Sequence, residues 1–403
     1  MLTVKNASTI THGTEQHVEK HPILATLISF FCLGFGTAAW APLIPYAQQR
    51  LNVNHADFGS LLLCGGLGSM LAMPMTGFII QRVGCRAVIT VYLSLLLLLL
   101  PLLTCVPSLW GMAIALFLFG TAAGGLGVAI NLQAVIVEKT YSRNMMSSFH
   151  GMCSLGGLFG VMLVTCLLAM GIQIISGALV VSLMMLILTF VAARYSLNRE
   201  QTGEQRVDQS EQARGWIRPK PVILVFGCMC FIAFLSEGST MDWSGIYLVE
   251  HFDIDHSYAG LAYTCFAIAM TAGRFAGTKV QKKLGEKNTL IYGAIFAAIG
   301  LMLVIVTPVW WGVLCGYLLL GLGCSNIVPI IFSQVGRQNT MPKATALSYV
   351  STMAYSGGLL GPALIGMLSV VIGLPMVFLL IAMMVIAIPI LNLLSQYMLK
   401  QSS

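Results

Sequence analysis

Charge is scarce in this chain. Of its 403 residues only 9% are Asp, Glu, Lys or Arg, 57% are hydrophobic, and the mean hydropathy is +0.87. A soluble domain covers itself with far more charge, so a water-facing globule is excluded. The chain contains no Gly-x-x-x-x-Gly-Lys-Ser/Thr loop to cradle phosphates, which excludes ATP as an energy source. It contains no His-Glu-x-x-His metal site and no Gly-x-Ser-x-Gly nucleophile elbow. None of its 11 cysteines forms a Cys-x-x-Cys pair, and all lie in or beside apolar stretches. There a thiol reads as a small buried hydrophobe rather than a metal ligand or disulfide partner. No metal, cofactor or catalytic residue is expected, so the chain is not read as an enzyme.

What the sequence has in quantity is long apolar runs. A spanning helix needs roughly 20 such residues, and about twelve runs of that kind recur, near 22–48, 57–81, 86–106, 109–138, 144–170, 172–195, 221–250, 257–282, 288–307, 310–337, 343–371 and 373–397. The expected fold is an all-α membrane protein of twelve transmembrane helices. Barrel strands would be short and alternating instead. The polar stretch 1–21 precedes a first run too long for a signal-peptide core and without a clear cleavage site, so that run is read as a retained span.

The net charge of +7 is explained by where the cations fall. Of 21 Lys and Arg, Arg274 lies inside a span and Arg50 in the first external loop. The others sit in the tails or the even-numbered loops: Arg82 and Arg86, Lys139 and Arg143, Arg194 to Lys220, Lys279 to Lys287, Arg337 and Lys343. Clustering on one side is the positive-inside pattern. It places both termini in the cytoplasm and speaks for a lipid bilayer, not nucleic acid, as the partner.

Residues 196–220 form the long polar interior stretch and read as a solvated linker. They divide the chain into a tail 1–21, a six-helix bundle 22–195, the linker, a second bundle 221–397 and a tail 398–403. The halves repeat at one offset. Arg82-Val83-Gly84-Cys85-Arg86 stands 201 positions before Lys283-Leu284-Gly285-Glu286-Lys287. Gly156-Gly157-Leu158-Phe159-Gly160 has the same offset to Gly357-Gly358-Leu359-Leu360-Gly361, as do Gly120 to Gly321 and Gln133 to Gln334. Four matches at one offset argue for duplication. Two parallel repeats that rock about a shared midplane site give alternating access.

Gly77-x-x-x-Gln81-Arg82-x-Gly84-x-Arg86 resembles the loop signature Gly-x-x-x-Asp-Arg-x-Gly-Arg-Arg of the major facilitator superfamily. The stretches HGMCSLGG (150–157), SEGSTMDW (236–243) and AGRFAG (272–277) are similar to the YbjJ/MosC-like branch, itself similar to fucose permease-type sugar symporters. The resemblance covers the whole chain. It implies a multi-pass transporter of the bacterial inner membrane, with a small-molecule solute and protons as partners and a monomeric state. Gln81 stands where the signature has Asp, and Lys282 holds the matching place in the second half. The resemblance implies that this Asp pairs with Arg across the cytoplasmic gate, and Gln81 keeps a hydrogen bond but not the ion pair. The gate set is therefore Gly77, Gln81, Arg82, Gly84, Arg86, Arg274, Lys283, Gly285 and Lys287.

A charge at the bilayer centre costs about 2.5–3.5 kcal/mol on the insertion scale, so intramembrane charges need a reason. Glu237 lies about 24 Å along a helix from Pro221, near mid-membrane, and Asp242 lies further out. Five residues turn a helix by about 140°, so a regular helix does not converge them. Gly238 and Gly245 permit local unwinding. Glu237 is read as a proton-carrying site coupled to solute binding, or else as a structural carboxyl. Asp242 joins it, or caps a broken helix. Arg274 lies ~13 Å from the cytoplasmic end and pairs with these acids, snorkels or closes the inner gate. His150 is the remaining proton-handling candidate, or a satisfied core histidine.

Asn131 shares a small face with Gly120, Gly124 and Gly127, suited to close packing or to a solute. The resemblance implies that spans one, four, seven and ten line the cavity. That favours Trp40, Asn131, Gln133, Asn326 and Gln334 as contacts. Trp243 offers a face for a sugar ring, or belongs to the interfacial belt. Tyr349, Thr352 and Tyr355 in span eleven suit a polyhydroxylated neutral solute, though hydroxyls also bond backbone carbonyls in helices. The first span and the membrane part of the fourth have no acid, so the acidic pattern of fucose permeases is not kept. The expected function is proton-coupled symport of a sugar or polyol; the alternatives are proton-driven efflux of amphipathic compounds and a non-transporting membrane sensor.

Overall fold

The computed structural model describes residues 21–141, 145–203, 218–341 and 343–402, all helix and short connections, with no strand among them. The elements are α1 (His21–Ala38), α2 (Ile44–Leu51), α3 (His55–Cys105), α4 (Leu109–Tyr141), α5 (Met146–Ala169), α6 (Ile174–Tyr195), the short α7 (Arg199–Gly203), α8 (Pro221–Phe252), α9 (Gly260–Val306), α10 (Trp310–Cys324), α11 (Ile327–Arg337), α12 (Lys343–Ile372) and α13 (Leu374–Ser402). Ten helical segments among the described residues are long and apolar enough to cross a membrane. Their outward faces are apolar too: Phe78, Phe190, Leu98 and Val371 are exposed. Helices apolar all round belong in a core or in lipid.

Two of the ten contain a break at a single glycine of positive φ. In α3 the backbone leaves the helix at Gly84 (φ 82°, ψ 167°), and in α9 at Gly285 (φ 77°, ψ 159°). That region of backbone space is essentially restricted to glycine. The two breaks stand 201 positions apart, so the sequence repeat reappears as a repeated backbone conformation. The first is clamped by the chain after α6: Arg86 N bonds Leu197 O at 2.9 Å, Arg86 Nε bonds Ser196 O at 2.8 Å, and Cys85 N reaches Thr202 Oγ1 at 3.3 Å. The second is held by Glu286, which receives two bonds from the Arg337 guanidinium at 2.9 and 2.5 Å.

Helix packing falls into two groups. α1 packs on α5 and α6, and α3 on α4 and α6; α8 packs on α12 and α13, and α9 on α10 and α13. The groups meet along α3–α12 and α5–α9. Glycine makes the approach close. A Cβ on Gly59 would stand 2.6 Å from Pro362 O, and one on Gly366 would collide with His55 O. At this same end His55 Nε2 meets Glu250 Oε2 at 3.0 Å, and His55 Nδ1 meets Ser369 Oγ at 3.0 Å. Buried Trp243 lies edge-on to the His55 ring, centroids 5.3 Å apart. These contacts seal one end between the two groups. The end that carries Gly84 and Gly285 is looser: Gln81 and Arg82 are exposed, and a Cβ on Gly77 or Gly285 would meet nothing within 4 Å.

Chain breaks are capped by side chains. Arg50 donates to the last carbonyls of α3, at 2.7 Å to Leu103 O and 3.1 Å to Val106 O, and also to Thr104 O. Cations are favourable at that end of a helix. Glu138 accepts from Met145 N and Met146 N at 2.5 and 2.6 Å, so a carboxylate covers the free amides that open α5.

Candidate functional site

A cavity of about 330 Å³ lies where α1, α5, α8, α9 and α12 converge. α8 contributes Phe234, Glu237, Gly238, Met241 and Asp242. Those positions step by three and four, so they form a single helix face about 140° wide. Glu237 lies at one edge of that face and Asp242 at the other. The helix runs unbroken through Gly238 and Gly245, so the expected unwinding does not occur. The cavity is wide enough to subtend the angle between the two acids. Gly245 instead admits close packing, with a Cβ there standing 3.1 Å from Ala259 O.

α9 contributes Tyr263, Phe266, Ala267, Met270, Thr271 and Arg274, again one stripe. α1 adds Gly34, Thr37 and Ala38; α5 adds Cys153, Ser154, Gly157 and Leu158. Arg274 joins the groups. Its Nη2 stands 3.4 Å from Glu237 Oε2, and its Nη1 donates to Ser154 Oγ at 3.0 Å. The second Glu237 oxygen, Oε1, is buried with no hydrogen-bond partner. Asp242 is 6% exposed. The three ion pairs among the described residues, His55–Glu250, Arg274–Glu237 and Arg337–Glu286, do not include it. Buried carboxylates without full pairing are costly to hold, and two of them on one cavity wall leave room for a proton or a donor from a bound molecule.

The other residues singled out from the sequence lie apart from this cavity. Gln133 is buried and ties three segments together: its Nε2 donates to Thr26 Oγ1 at 3.1 Å and to Ser196 Oγ at 3.4 Å, and its Oε1 accepts from Leu197 N at 3.1 Å. Asn326, at the α10–α11 break, donates to Gly273 O at 3.0 Å and accepts from Gln281 at 3.4 Å. Asn131 donates back to Gly127 O at 2.7 Å. Trp40 and Trp243 are buried with their indole nitrogens unpartnered. Gln334 lines a separate cleft with Lys287. Tyr355 packs edge-on to Phe234 at 5.6 Å between ring centroids. Tyr349 is half-buried and Thr352 is exposed, about two turns and one and a half turns respectively before the glycine run of α12 that reaches the cavity at Gly358. His150 lies one turn before Ser154 and edge-on to Phe30 at 5.1 Å. Lys283 is exposed beside Gly285.

Ser154, Thr37, Tyr263 and Thr271 line the cavity and were not among the sequence candidates. Ser154 lies within the HGMCSLGG stretch, which carried a signal for His150. A lone hydroxyl in an apolar helix carries none by itself.

Long apolar helices around a cavity that holds two acids and one arginine define a polytopic membrane protein with an internal solute-sized site. The chain belongs to the Major Facilitator Superfamily, which it matches over residues 26–338 and 227–397, a family of transporters rather than enzymes. It is 40% identical over 388 residues to an uncharacterized MFS-type transporter of Yersinia pestis, covering 96% of this chain and 98% of that one. It is 30% identical over 361 residues to the membrane protein MosC of Rhizobium meliloti, covering 88% of this chain and 86% of that one, which agrees with the MosC-like branch. Among solved structures, the nucleoside transporter NupG superposes with a TM-score of 0.71 at 12% identity, covering 93% of this chain and 98% of that one. A variant of the same protein gives 0.74. At that identity the likeness is one of fold.

Proposed function

We propose that this protein is a proton-coupled secondary transporter that moves a small polar organic solute, a sugar or polyol, through the cavity between two rocking six-helix bundles of the bacterial inner membrane. A 51-residue helix is about 77 Å long, more than two bilayer cores. The breaks at Gly84 and Gly285 therefore divide α3 and α9 into two spans each. With the other eight helical segments this makes twelve, with the bundles at 22–195 and 221–397, the linker 196–220 and both termini cytoplasmic by the placement of Lys and Arg. The linker residues 204–217 lie outside the described residues, as do 1–20. In this reading the end sealed by His55, Glu250 and Ser369 is the outer gate, and the protein faces inward as a monomer.

The observation that carries proton coupling is the pairing of Glu237. One oxygen contacts Arg274 and the other is buried without a partner. Protonation removes the charge of the half-paired carboxylate and weakens its hold on Arg274, whose other contact lies in the opposite bundle at Ser154. A proton on Glu237 thus alters a contact between the bundles, the link that coupling requires.

The test is solute-induced pH change in proteoliposomes over a panel of sugars, polyols, amino acids and carboxylates. The expected result is a solute that drives proton movement with wild type and not with Glu237→Gln. Equal proton flux in the variant refutes the coupling role. A second reading, proton-driven efflux of amphipathic compounds, is supported by the apolar walls Phe234, Met241, Phe266 and Met270. It predicts raised resistance to toxic compounds on overexpression, and no uptake of sugars.

A further inference from the structure

Asp242 takes no part in the coupling step at Glu237, yet it lines the same cavity of about 330 Å³. The residue is 6% exposed, and its carboxylate makes no ion pair or hydrogen bond among the described residues. The charged groups lining that cavity are Glu237, Asp242 and Arg274, so two acids face one cation. Arg274 is taken up by Glu237 and Ser154, at 3.4 and 3.0 Å. Asp242 stands five residues further along α8, about 7.5 Å of rise from Glu237. Its ionised form leaves the cavity with one uncompensated negative charge at that level. A buried carboxylate without a partner is costly, so a bound cation is favoured there.

The neighbours of Asp242 choose among cations. Counting back along the antiparallel α9 from Arg274 by the same rise reaches Met270 and then Phe266. The Phe266 ring stacks with Tyr263, centroids 5.9 Å apart, and both residues line the cavity. Aromatic faces attract ammonium groups. A hard metal cation takes about six or more oxygens, which rings and thioethers do not supply. A neutral sugar can donate a hydroxyl to Asp242 but leaves its charge unmatched. We propose that the solute of this cavity carries an ammonium group, which Asp242 holds beside the Tyr263 and Phe266 rings, so that Asp242 selects an amine-bearing polyol over its neutral parent. This selection rests on the central cavity being the solute site and is independent of whether Glu237 carries protons.

The experiment is calorimetric titration of the full-length detergent-purified protein at about pH 6.5, below the range where an aliphatic amine loses its proton. The probes are two matched pairs, glucosamine with glucose and aminopropanediol with glycerol. N-acetylglucosamine keeps the nitrogen and removes the charge. A charge-assisted bond in place of a neutral one should make at least one amine about tenfold tighter than its parent, with N-acetylglucosamine no tighter than glucose. Asp242→Asn should bring amine and parent to parity without lowering the ligand-free melting temperature, because no protein bond to that carboxylate is lost. Phe266→Leu should weaken the amine more than the parent, which keeps the test decisive if Asp242→Asn folds poorly. Equal binding of amine and parent by wild type, or a preference unchanged in the variants, overturns the role of Asp242. Proton flux driven by a neutral sugar would then leave the coupled-transport reading standing. An amine preference without proton flux keeps Asp242 as the selecting residue and removes the coupling. If no probe binds, the amine selection falls together with the cavity as a polyol site.

Discussion

Arg274 of α9 donates to Ser154 of α5 at 3.0 Å, across the boundary between the two helix groups. The same guanidinium stands 3.4 Å from Glu237 of α8, within its own group. One side chain therefore holds a contact inside a bundle and a contact between bundles at once. Removing it leaves Glu237 half-buried with neither oxygen paired. Arg274→Ala should abolish transport and lower the melting temperature, and adding Glu237→Gln should restore part of that stability. A double-mutant cycle on thermal unfolding should give a coupling of roughly 0.5–3 kcal/mol. Additive effects would show that the 3.4 Å approach carries no energy.

The sealed end depends on glycine at Gly59 and Gly366, where backbones meet without side chains between them. Gly366→Leu should hold this end open. Overpacking of a close contact costs about 1–3 kcal/mol, which shifts a two-state equilibrium about 5- to 150-fold. Distance measurements between labels on the α3 and α12 ends should show the separation rise, and transport should fall. An unchanged distance distribution would mean that the closure tolerates a side chain.

The two helix breaks should respond differently to the same change. Both Gly84 and Gly285 have positive φ, which a side chain pays about 1–3 kcal/mol to adopt. Around Gly285 a Cβ would meet nothing within 4 Å, whereas at Gly84 it would stand 2.7 Å from the Arg199 backbone. Gly84→Ala should therefore lower the melting temperature clearly more than Gly285→Ala. Equal losses would show that the segment at 198–202 yields easily.

Gln133 of α4 binds α1 and the chain at 196–197 through three hydrogen bonds. Gln133→Ala strands those partners and should cost about 1–3 kcal/mol of stability. Solute affinity, measured by binding to the purified protein, should stay within twofold of wild type on the order of RT. A selective loss of affinity with stability intact would put Gln133 in the solute path.

His55 links the first half to Glu250 and Ser369 in the second. His55→Ala should weaken the sealed end and raise the accessibility of Trp243, which packs on that ring. Collisional quenching of tryptophan fluorescence should increase in the variant; no change would leave the seal to backbone packing alone.

Residue order alone determined that this chain lives in a bilayer. Scarce charge, long apolar runs and the sided placement of Lys and Arg are local properties, and the solvent imposes them on every span independently. The repeat at 201 positions was also legible, because Gly84 and Gly285 meet a backbone demand that no other residue fills. Glu237, Asp242 and Arg274 stood out because charge in lipid is expensive wherever it occurs. Only tertiary structure decided what surrounds them. Ser154 joins Arg274 through a hydroxyl that looks like any other in an apolar helix, and the width of the cavity, not an unwound turn, brings Glu237 and Asp242 onto one wall. Likewise Gln133 and Asn326 turned toward backbone and hydroxyl partners on neighbouring helices. A polar side chain is selected by its nearest unmet partner, and which partner is nearest depends on how separate helices pack, a relation between distant parts of the chain.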